Sequence, residues 1–218
     1  MKELIIATHN PGKVIEYQAL LGADFKLYTL KELKISDEPE EDGKTFEENA
    51  VKKAEYYAPL FDKPVLAEDS GLEIDYLNGE PGVLSRRWLG RKCTDEELVD
   101  TALEKLKGVP FAKRGAQFRV MVAIKINKNA KPILAEGITR GFILEKPVSK
   151  IIPGFPFRSL FYVPKIGKAL GEMTIAEESK IGHRRMAIEQ LLPQISGLSE
   201  WQTLKVSTEH TSRRDRLL

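Results

Sequence analysis

Residues 4–13 run Leu4-Ile5-Ile6-Ala7-Thr8-His9-Asn10-Pro11-Gly12-Lys13, an apolar segment followed directly by a turn sequence. The apolar segment predicts a buried strand, and residues 14–21 beyond the turn predict a helix. Such a strand-to-helix turn directs backbone N–H groups and the helix N-terminus at one point, which favours binding of an anion. Gly12 permits close approach of the backbone, and Lys13 adds a point charge suited to phosphate.

An ordinary Asn-Pro-Gly turn explains the same residues equally well on local evidence. The segment is not a P-loop, because the earlier glycine of that motif and the Ser or Thr after its lysine are both absent. A phosphate site and a plain turn therefore both stay open at this point.

Short apolar runs and amphipathic segments alternate along the rest of the chain. Strands are predicted at residues 65–67, 72–75, 118–126, 133–135 and 138–144, with Gly137 and Gly141 as breaks. Helices are predicted at residues 46–61, 95–106 and 177–192. Mixed strands and helices of this kind predict an α/β or α+β fold with a central sheet. We place one domain at residues 1–195 and a polar, basic tail at 196–218, which Trp201 and Leu204 could dock.

Composition excludes several classes of protein. The 218 residues are 42% hydrophobic and 30% charged, with a formal net charge of +2, so neither nucleic acid nor a membrane is predicted as a partner. The single cysteine, Cys93, excludes an intramolecular disulfide and a multi-cysteine metal site. No apolar run approaches the roughly 20 residues needed to cross a bilayer, and no signal peptide is recognisable, which predicts a cytoplasmic protein.

Two acidic segments are candidates for holding a cation. Glu40-Glu41-Asp42 precedes Gly43 and a predicted helix, and Glu68-Asp69-Ser70-Gly71 follows an apolar run. Mg²⁺ takes one or two protein carboxylates, keeps several waters and bridges substrate phosphates. A solvated loop and a turn cap are the commoner explanations of the two segments taken singly. Their combination with a phosphate-binding turn favours a cation, because a triphosphate and a cation bind together.

Two further segments are ambiguous by themselves. Thr45 and Glu48 form a capping box, which explains Thr45 without any function. Lys53 is a surface lysine by default and gains a role only if its helix faces the phosphates. His183 and Arg184 open or lie inside the last helix, where they suit a base edge or a phosphate, although a lone histidine is more often structural.

Four motifs in this order resemble the inosine triphosphate pyrophosphatase family over residues 4–192. They are Ala7 to Lys13, Thr45-Phe46-Glu47-Glu48-Asn49-Ala50 with Lys53-Ala54, Ala67-Glu68-Asp69-Ser70-Gly71-Leu72, and Pro81-Gly82-Val83 with Ser85 and Arg87. The resemblance implies an elongated, two-lobed α/β (α+β) fold around a long mixed sheet, a substrate cleft between the lobes, and a homodimer. It also implies Mg²⁺-dependent hydrolysis of inosine, deoxyinosine and xanthosine triphosphates to the monophosphate and pyrophosphate.

The same resemblance assigns roles to individual residues. The expected phosphate-binding residues are Thr8, His9, Asn10, Pro11, Gly12, Lys13 and Lys53. The expected metal ligands are Glu41, Asp69 and Glu68, and the expected catalytic residues are Asp69, as proton acceptor from water, with Lys13 and Lys53. Ser70 is expected to contact the substrate. The expected base-binding residues are Phe155, Phe157, Arg158, Lys180, His183 and Arg184.

The base-binding segments depart from the family pattern. Gly154-Phe155-Pro156-Phe157-Arg158-Ser159 stands where the family has Gly-Phe-Gly-Tyr/Trp-Asp-Pro, so Arg158 replaces an acidic acceptor. Glu178 stands at the position of a family lysine, with Lys180 two residues later, and Gly182 replaces a serine. A keto purine presents an N1–H donor that an aspartate accepts and an arginine does not.

Two expectations follow from these departures. Phe155 should still stack on a base. The other base-binding side chains, Arg158, Lys180, His183 and Arg184, are all donors when charged, so selectivity between bases should be weaker than in the family. Alternatively, Arg158 turns to solvent and takes no part in binding. A nucleotide-binding protein without turnover and a generic Mg²⁺-dependent phosphatase are the competing functions.

Overall fold

The computed structural model of the protein describes residues 1–197 and contains one seven-stranded mixed sheet. The strands are β1 (Lys2–Ile6), β2 (Phe25–Thr29), β3 (Val65–Ile74), β4 (Gly115–Lys125), β5 (Ile133–Ile143), β6 (Phe161–Val163) and β7 (Lys168–Ala169). They lie in the order β2-β1-β3-β4-β5-β6-β7, with β1 parallel to β2 and β3 and the other pairs antiparallel. The predicted α/β fold around a mixed sheet is therefore confirmed.

Five α-helices of the described residues, 1–197, pack around this sheet. They are α1 (Pro11–Leu21), α2 (Phe46–Tyr57), α3 (Asp95–Lys105), α4 (Ile175–Glu178) and α5 (His183–Ile195). Within residues 1–197, no helix is long and apolar enough to cross a membrane.

Buried side chains form three clusters around the sheet. One cluster lies between α1, α5 and one face of the sheet, and includes Leu4, Tyr17, Leu66, Val122 and Leu191. A second lies under α2 on the opposite face, and includes Ile5, Ala50, Ala54 and Tyr57. The third fills the far end of the sheet with α3, and includes Leu72, Leu98, Ala102 and Phe161. The long strands β3 and β4 contribute side chains to all three clusters and so connect them.

The unequal lengths of β1 and β3 create the opening for a site. β1 pairs with β3 only at Ile5↔Val65 and Ile6↔Leu66, and beyond Leu66 β3 continues toward Ile74 paired with β4 on its other side. Beyond β1 the chain turns into α1, where the Asn10 side chain accepts a hydrogen bond from the backbone N–H of Gly12 at 2.9 Å. The N-terminus of α1 therefore lies beside the part of β3 that β1 leaves uncovered.

Two sequence-based boundaries in the sheet are wrong. β3 runs without interruption through Ser70 and Gly71, where the sequence predicted a turn after the carboxylates. β5 likewise runs through Gly137 and Gly141. A Cβ at Gly137 would overlap the backbone carbonyl of His183. The glycines therefore serve close packing of neighbouring backbone on the strand, a role that a short-range pattern does not distinguish from a break.

The predicted last helix at residues 177–192 is also divided differently. α4 is capped by Thr174 and ends at Glu178, and α5 begins at His183 after Gly182. The short strands β2, β6 and β7 were not predicted. Trp201 and Leu204 lie outside the described residues, and the division into a domain and a tail stays a prediction.

Candidate active site

A cleft of about 760 Å³ opens beyond the end of β1, a size typical of small-molecule sites. It brings together segments that are far apart in the sequence. Fourteen of the site residues predicted from the sequence line this cleft: Thr8, His9, Asn10, Pro11, Lys13, Glu41, Lys53, Glu68, Ser70, Phe155, Phe157, Arg158, His183 and Arg184. Glu178, Arg86 and Arg87 line the same cleft.

The turn before α1 packs against the loop that carries Phe155. Asn10 Nδ2 donates a hydrogen bond to the carbonyl of Gly154 at 3.2 Å, and Thr8 Oγ1 accepts one from the Asn10 N–H at 3.2 Å. A Cβ at Gly12 would overlap the Phe155 ring. Gly12 is therefore required by the aromatic side chain that lies against it.

Glu68 lies at the centre of a buried ion-pair network. Lys13 Nζ lies 2.9 Å from Glu68 Oε1, and Arg184 donates to both carboxylate oxygens at 2.7 Å. Ser70 Oγ donates at 3.0 Å, and the Tyr17 hydroxyl donates to Oε2. Burial is the largest influence on Glu68 and acts to raise its pKa, but Arg184 and Lys13 together hold that pKa well below its usual value. Glu68 is thus an ionised carboxylate saturated by protein donors.

Lys53 lies between two other carboxylates. Its Nζ is 2.6 Å from Glu41 Oε1 and 3.5 Å from Asp69 Oδ1. Asn49 Nδ2 donates to the other Asp69 oxygen at 2.9 Å. Burial raises the pKa of Asp69, and the nearby Glu41 charge adds to this effect while Lys53 opposes it. Two carboxylates, one with a raised pKa, therefore share a single ammonium group.

The structure separates Glu68 from the other two predicted metal ligands. Successive residues of a strand point to opposite faces of a sheet. Glu68 accordingly faces Arg184 on α5, and Asp69 faces Asn49 on α2. Within residues 1–197, no group of three or more His, Cys, Asp or Glu side chains is arranged to hold a metal ion. Glu41 and Asp69 are an all-oxygen pair that fits the one or two carboxylates Mg²⁺ takes from a protein, whereas the saturated Glu68 does not fit.

Arg158 is buried at the other end of the cleft. It is 9% exposed, and its guanidinium carbon lies 4.5 Å from the centroid of the Phe155 ring. Arg158 Nη2 contacts Glu178 and lies 3.3 Å from Glu16 Oε1, but no contact gives it hydrogen-bond geometry. Burial lowers the pKa of Arg158, and Glu16 opposes the shift. The alternative in which Arg158 turns to solvent is wrong.

His183 is buried beside this group. Its ring stacks on Phe118 at 5.4 Å between centroids, and its Nε2 lies 3.2 Å from Arg184 Nη1. Burial lowers the pKa of His183 well below its usual value, and the Arg184 charge adds to the effect, so the ring is neutral. Because arginine only donates, Nε2 is the acceptor and the proton lies on Nδ1. That Nδ1 has no hydrogen-bond partner within residues 1–197.

The expectation of a base end made only of donors is therefore wrong. Glu178 lines the cleft beside Arg158, and His183 is neutral. Lys180 is exposed and does not line the cleft, so the structure does not bring it to the predicted site. Phe157 touches the cleft but is 3% exposed and packs edge-on to Trp88.

Several residues of the site were missed from the sequence, although some carried a signal. Glu16 and Tyr17 follow Lys13 by three and four positions on α1, the spacing that places side chains on one helix face. Asn49 precedes Lys53 by the same four positions on α2. Glu178 was noted only as a departure from the family pattern, because its contact with Arg158 depends on the tertiary fold.

Comparisons with known proteins agree with this geometry. Residues 4–194 match the sequence model of the Ham1 family. A dITP/XTP pyrophosphatase of Bacillus subtilis is 43% identical over 195 residues, covering 88% of this chain and 96% of that protein. A dITP/XTP pyrophosphatase of Halalkalibacterium halodurans is 41% identical over 192 residues, covering 88% of this chain and 97% of that protein.

Solved structures give the same result. A HAM1 protein from Coxiella burnetii superposes with a TM-score of 0.77 at 36% identity, covering 91% of this chain and 100% of that chain. The Ham1 protein of Staphylococcus aureus superposes with a TM-score of 0.76 at 34% identity, covering 90% and 99%. The resemblance first seen in the four sequence motifs is thereby confirmed, and the chain belongs to the Ham1 family.

Proposed function

We propose that the protein hydrolyses non-standard purine nucleoside triphosphates, of the inosine, deoxyinosine and xanthosine type, to the monophosphate and pyrophosphate. The reaction would remove these nucleotides from the cellular pool. The observation that carries the proposal is one cleft lined by Lys13, Lys53 and Glu41, with Asp69 3.5 Å from Lys53. The similarity to dITP/XTP pyrophosphatases over most of the chain supports the substrate class.

The phosphates would bind at the Lys13 and Lys53 end. Both lysines are already held in the cleft by carboxylates, Lys13 by Glu68 and Lys53 by Glu41. The N-terminus of α1 adds a favourable dipole at the same place. Because phosphoryl transfer depends mainly on positioning and charge neutralisation, fixed cations and a helix N-terminus supply most of what the reaction requires.

Asp69 would accept a proton from the attacking water. Its pKa is raised from the ordinary aspartate value by burial, which brings it closer to the range of an effective general base. Asn49 fixes one carboxylate oxygen and leaves Oδ1 on the side of Lys53. Glu41 and Asp69 would also hold Mg²⁺, which, when bound, neutralises phosphate charge and polarises the phosphoryl group.

Two further proposals concern assembly and location: the protein forms a homodimer, as the family resemblance implies, and it works in the cytoplasm, as the sequence predicted. Light scattering coupled to size-exclusion chromatography tests the first, since a monomer at assay concentration would contradict it. Fractionation of the source cells tests the second.

A product assay distinguishes the possible functions. Purified protein is incubated with a panel of nucleoside triphosphates and Mg²⁺, and pyrophosphate and orthophosphate are measured separately. Release of pyrophosphate, greatest with inosine, deoxyinosine or xanthosine triphosphate, is expected. Orthophosphate as the main product would instead indicate a generic phosphatase. Calorimetric binding without either product would indicate a nucleotide-binding protein without turnover.

A further inference from the structure

We infer that Glu178, held against Arg158, is the residue that recognises the base: it accepts the N1–H of a 6-keto purine while Arg158 donates to the neighbouring keto oxygen. This inference rests on the proposed function and deepens it. The two departures from the family motif, an arginine at 158 and a glutamate at 178, contact each other in the folded protein. They form one pair that places an acceptor directly beside a donor.

The local backbone fixes both members of the pair. Glu178 ends α4 and is 6% exposed, and its carbonyl accepts from the N–H groups of Ile181 at 3.0 Å and Gly182 at 2.7 Å. Arg158 lies in the single helical turn Pro156–Ser159, whose backbone packs against Gly171. The end of α4 and the turn Pro156–Ser159 therefore hold the two residues in fixed positions in the wall of the cleft.

Buried polar atoms without a hydrogen bond lie around this part of the cleft. Three buried side-chain atoms have no hydrogen bond within residues 1–197: Arg158 Nη2, Glu16 Oε1 and His183 Nδ1. All three belong to residues around the same end of the cleft, since Arg158 pairs with Glu16, and Arg184 contacts both Glu16 and His183. Arg158 Nη2 and Glu16 Oε1 lie 3.3 Å apart as an ion pair, which leaves His183 Nδ1 as the atom of the three without a polar partner in the described part of the chain. A buried polar group without a partner costs about 1–3 kcal/mol, so this donor points to an acceptor on a ligand that binds there.

The chemistry of the pair selects which base edge fits. A carboxylate only accepts and a guanidinium only donates. The 6-keto purines present an N1–H donor next to an O6 acceptor, which is the complement of the Glu178–Arg158 pair. Adenine presents the reverse order, an N1 acceptor next to an N6 donor, and would face two mismatched contacts. The pair therefore favours hypoxanthine, xanthine and guanine over adenine and does not separate the first three.

The test compares two substrates on two proteins. Inosine triphosphate carries the N1–H and O6 edge, whereas purine riboside triphosphate has the same ring system without either group. Glu178→Gln is expected to lower kcat/KM for inosine triphosphate by about 10- to 100-fold, the range for losing a charge-assisted hydrogen bond. The same substitution should change kcat/KM for purine riboside triphosphate much less, so the preference for inosine collapses.

Other outcomes overturn the inference. Equal losses on both substrates would give Glu178 a structural role only, and an unchanged preference would remove it from base recognition. If Glu178→Gln does not fold, the reversed pair Arg158→Glu with Glu178→Arg exchanges donor and acceptor, so it should lose the preference for inosine over adenosine triphosphate; a folded double variant that keeps this preference would contradict the inference. The proposed function fails separately, if the wild-type protein releases no pyrophosphate from any triphosphate.

Discussion

The two ends of the cleft hold their charges in different ways. The proposed phosphate end is the part of the cleft around Lys13 and Lys53. There Lys13 pairs with Glu68 at 2.9 Å and Lys53 with Glu41 at 2.6 Å, so each cation already has an anionic partner. The proposed base end is the part of the cleft around Arg158 and Glu178. There the Nη2 atom of Arg158 lies against two carboxylates, Glu178 and Glu16, and neither contact has hydrogen-bond geometry.

The difference suggests how one scaffold separates reaction from selectivity. Phosphate groups are common to all the candidate substrates, so a preformed set of cations serves any of them. The base differs between substrates, and its recognition depends on where donors and acceptors stand on a buried wall. Substitutions at the phosphate end should therefore act equally on all nucleotides, whereas those at the base end should change their ranking.

The largest effect is expected at the phosphate end from Asp69→Asn. The amide still accepts a hydrogen bond from Asn49 but does not serve as a general base, so kcat should fall by about 10²- to 10⁴-fold. The loss should be the same for every base and should leave the melting temperature near the wild-type value. Asp42→Asn, at an exposed carboxylate that pairs with Lys52 outside the cleft, is the matched control. Near-normal turnover would contradict the role of Asp69, and activity in excess chelator would contradict the proposed Mg²⁺.

Removing either lysine should have a smaller effect that is also independent of the base. Lys13→Ala and Lys53→Ala each delete a charge-assisted contact with phosphate, for which the usual range is about 1.5–3 kcal/mol, or roughly 10- to 150-fold in kcat/KM. Steady-state kinetics on inosine, xanthosine and adenosine triphosphates give the comparison. Lys52→Ala, the neighbouring exposed lysine on α2, is the control. If the loss depends strongly on the base, that lysine belongs to the base end.

Gly137→Ala should disturb the base end through the backbone. A Cβ there would overlap the His183 carbonyl, so α5 must shift away from β5 and carry His183 with it. Overpacking of this kind costs about 1–3 kcal/mol, which denaturant unfolding measures. Gly197→Ala is the control, since a Cβ at Gly197 meets no atom within 4 Å. Equal stability of the Gly137 variant and the wild type would mean that α5 does not depend on this close approach.

The turn between β1 and α1 was predictable because its signal is local. Asn10, Pro11 and Gly12 specify the cap, the first helical position and the close approach within three residues. Thr45 likewise caps α2 as the sequence predicted, with its side chain accepting from the Glu48 N–H.

The base end was not predictable in the same way. Arg158 meets Glu178 and Glu16 only after the sheet brings three distant segments together. The run through Ser70 and Gly71 looked like a turn, whereas in the fold Gly71 makes room in a continuous strand for the Gly82 carbonyl and the Ser85 hydroxyl. Short-range patterns do not contain these contacts, and a motif comparison records such positions only as departures.

The smallest effect concerns the charge state of His183 at the base end. Its pKa in the folded protein lies well below the value of 6.5 expected in the unfolded chain. Between those two values the unfolded chain binds a proton that the folded protein does not, so the free energy of unfolding falls as the pH drops below 6.5. The slope contributed by one such group is at most about 1.4 kcal/mol per pH unit. The pKa of Glu68 is also lowered on folding, so protonation of Glu68 reduces the free energy of unfolding only at more acidic pH, below the usual glutamate value of 4.5.

Denaturant unfolding between pH 7.5 and pH 5 isolates the histidine contribution, since this range lies above the glutamate window. His183→Gln keeps an acceptor for Arg184 but has no titrating ring, so its stability should depend less steeply on pH than that of the wild type. Phe118→Leu weakens the ring stacking and retains the histidine, so it should lower stability at every pH without flattening the slope. A His183→Gln slope as steep as that of the wild type would mean that His183 is not held neutral. In that case His183 would add a positive charge to the base end, and its protonated Nε2 would place a second donor against the Arg184 guanidinium.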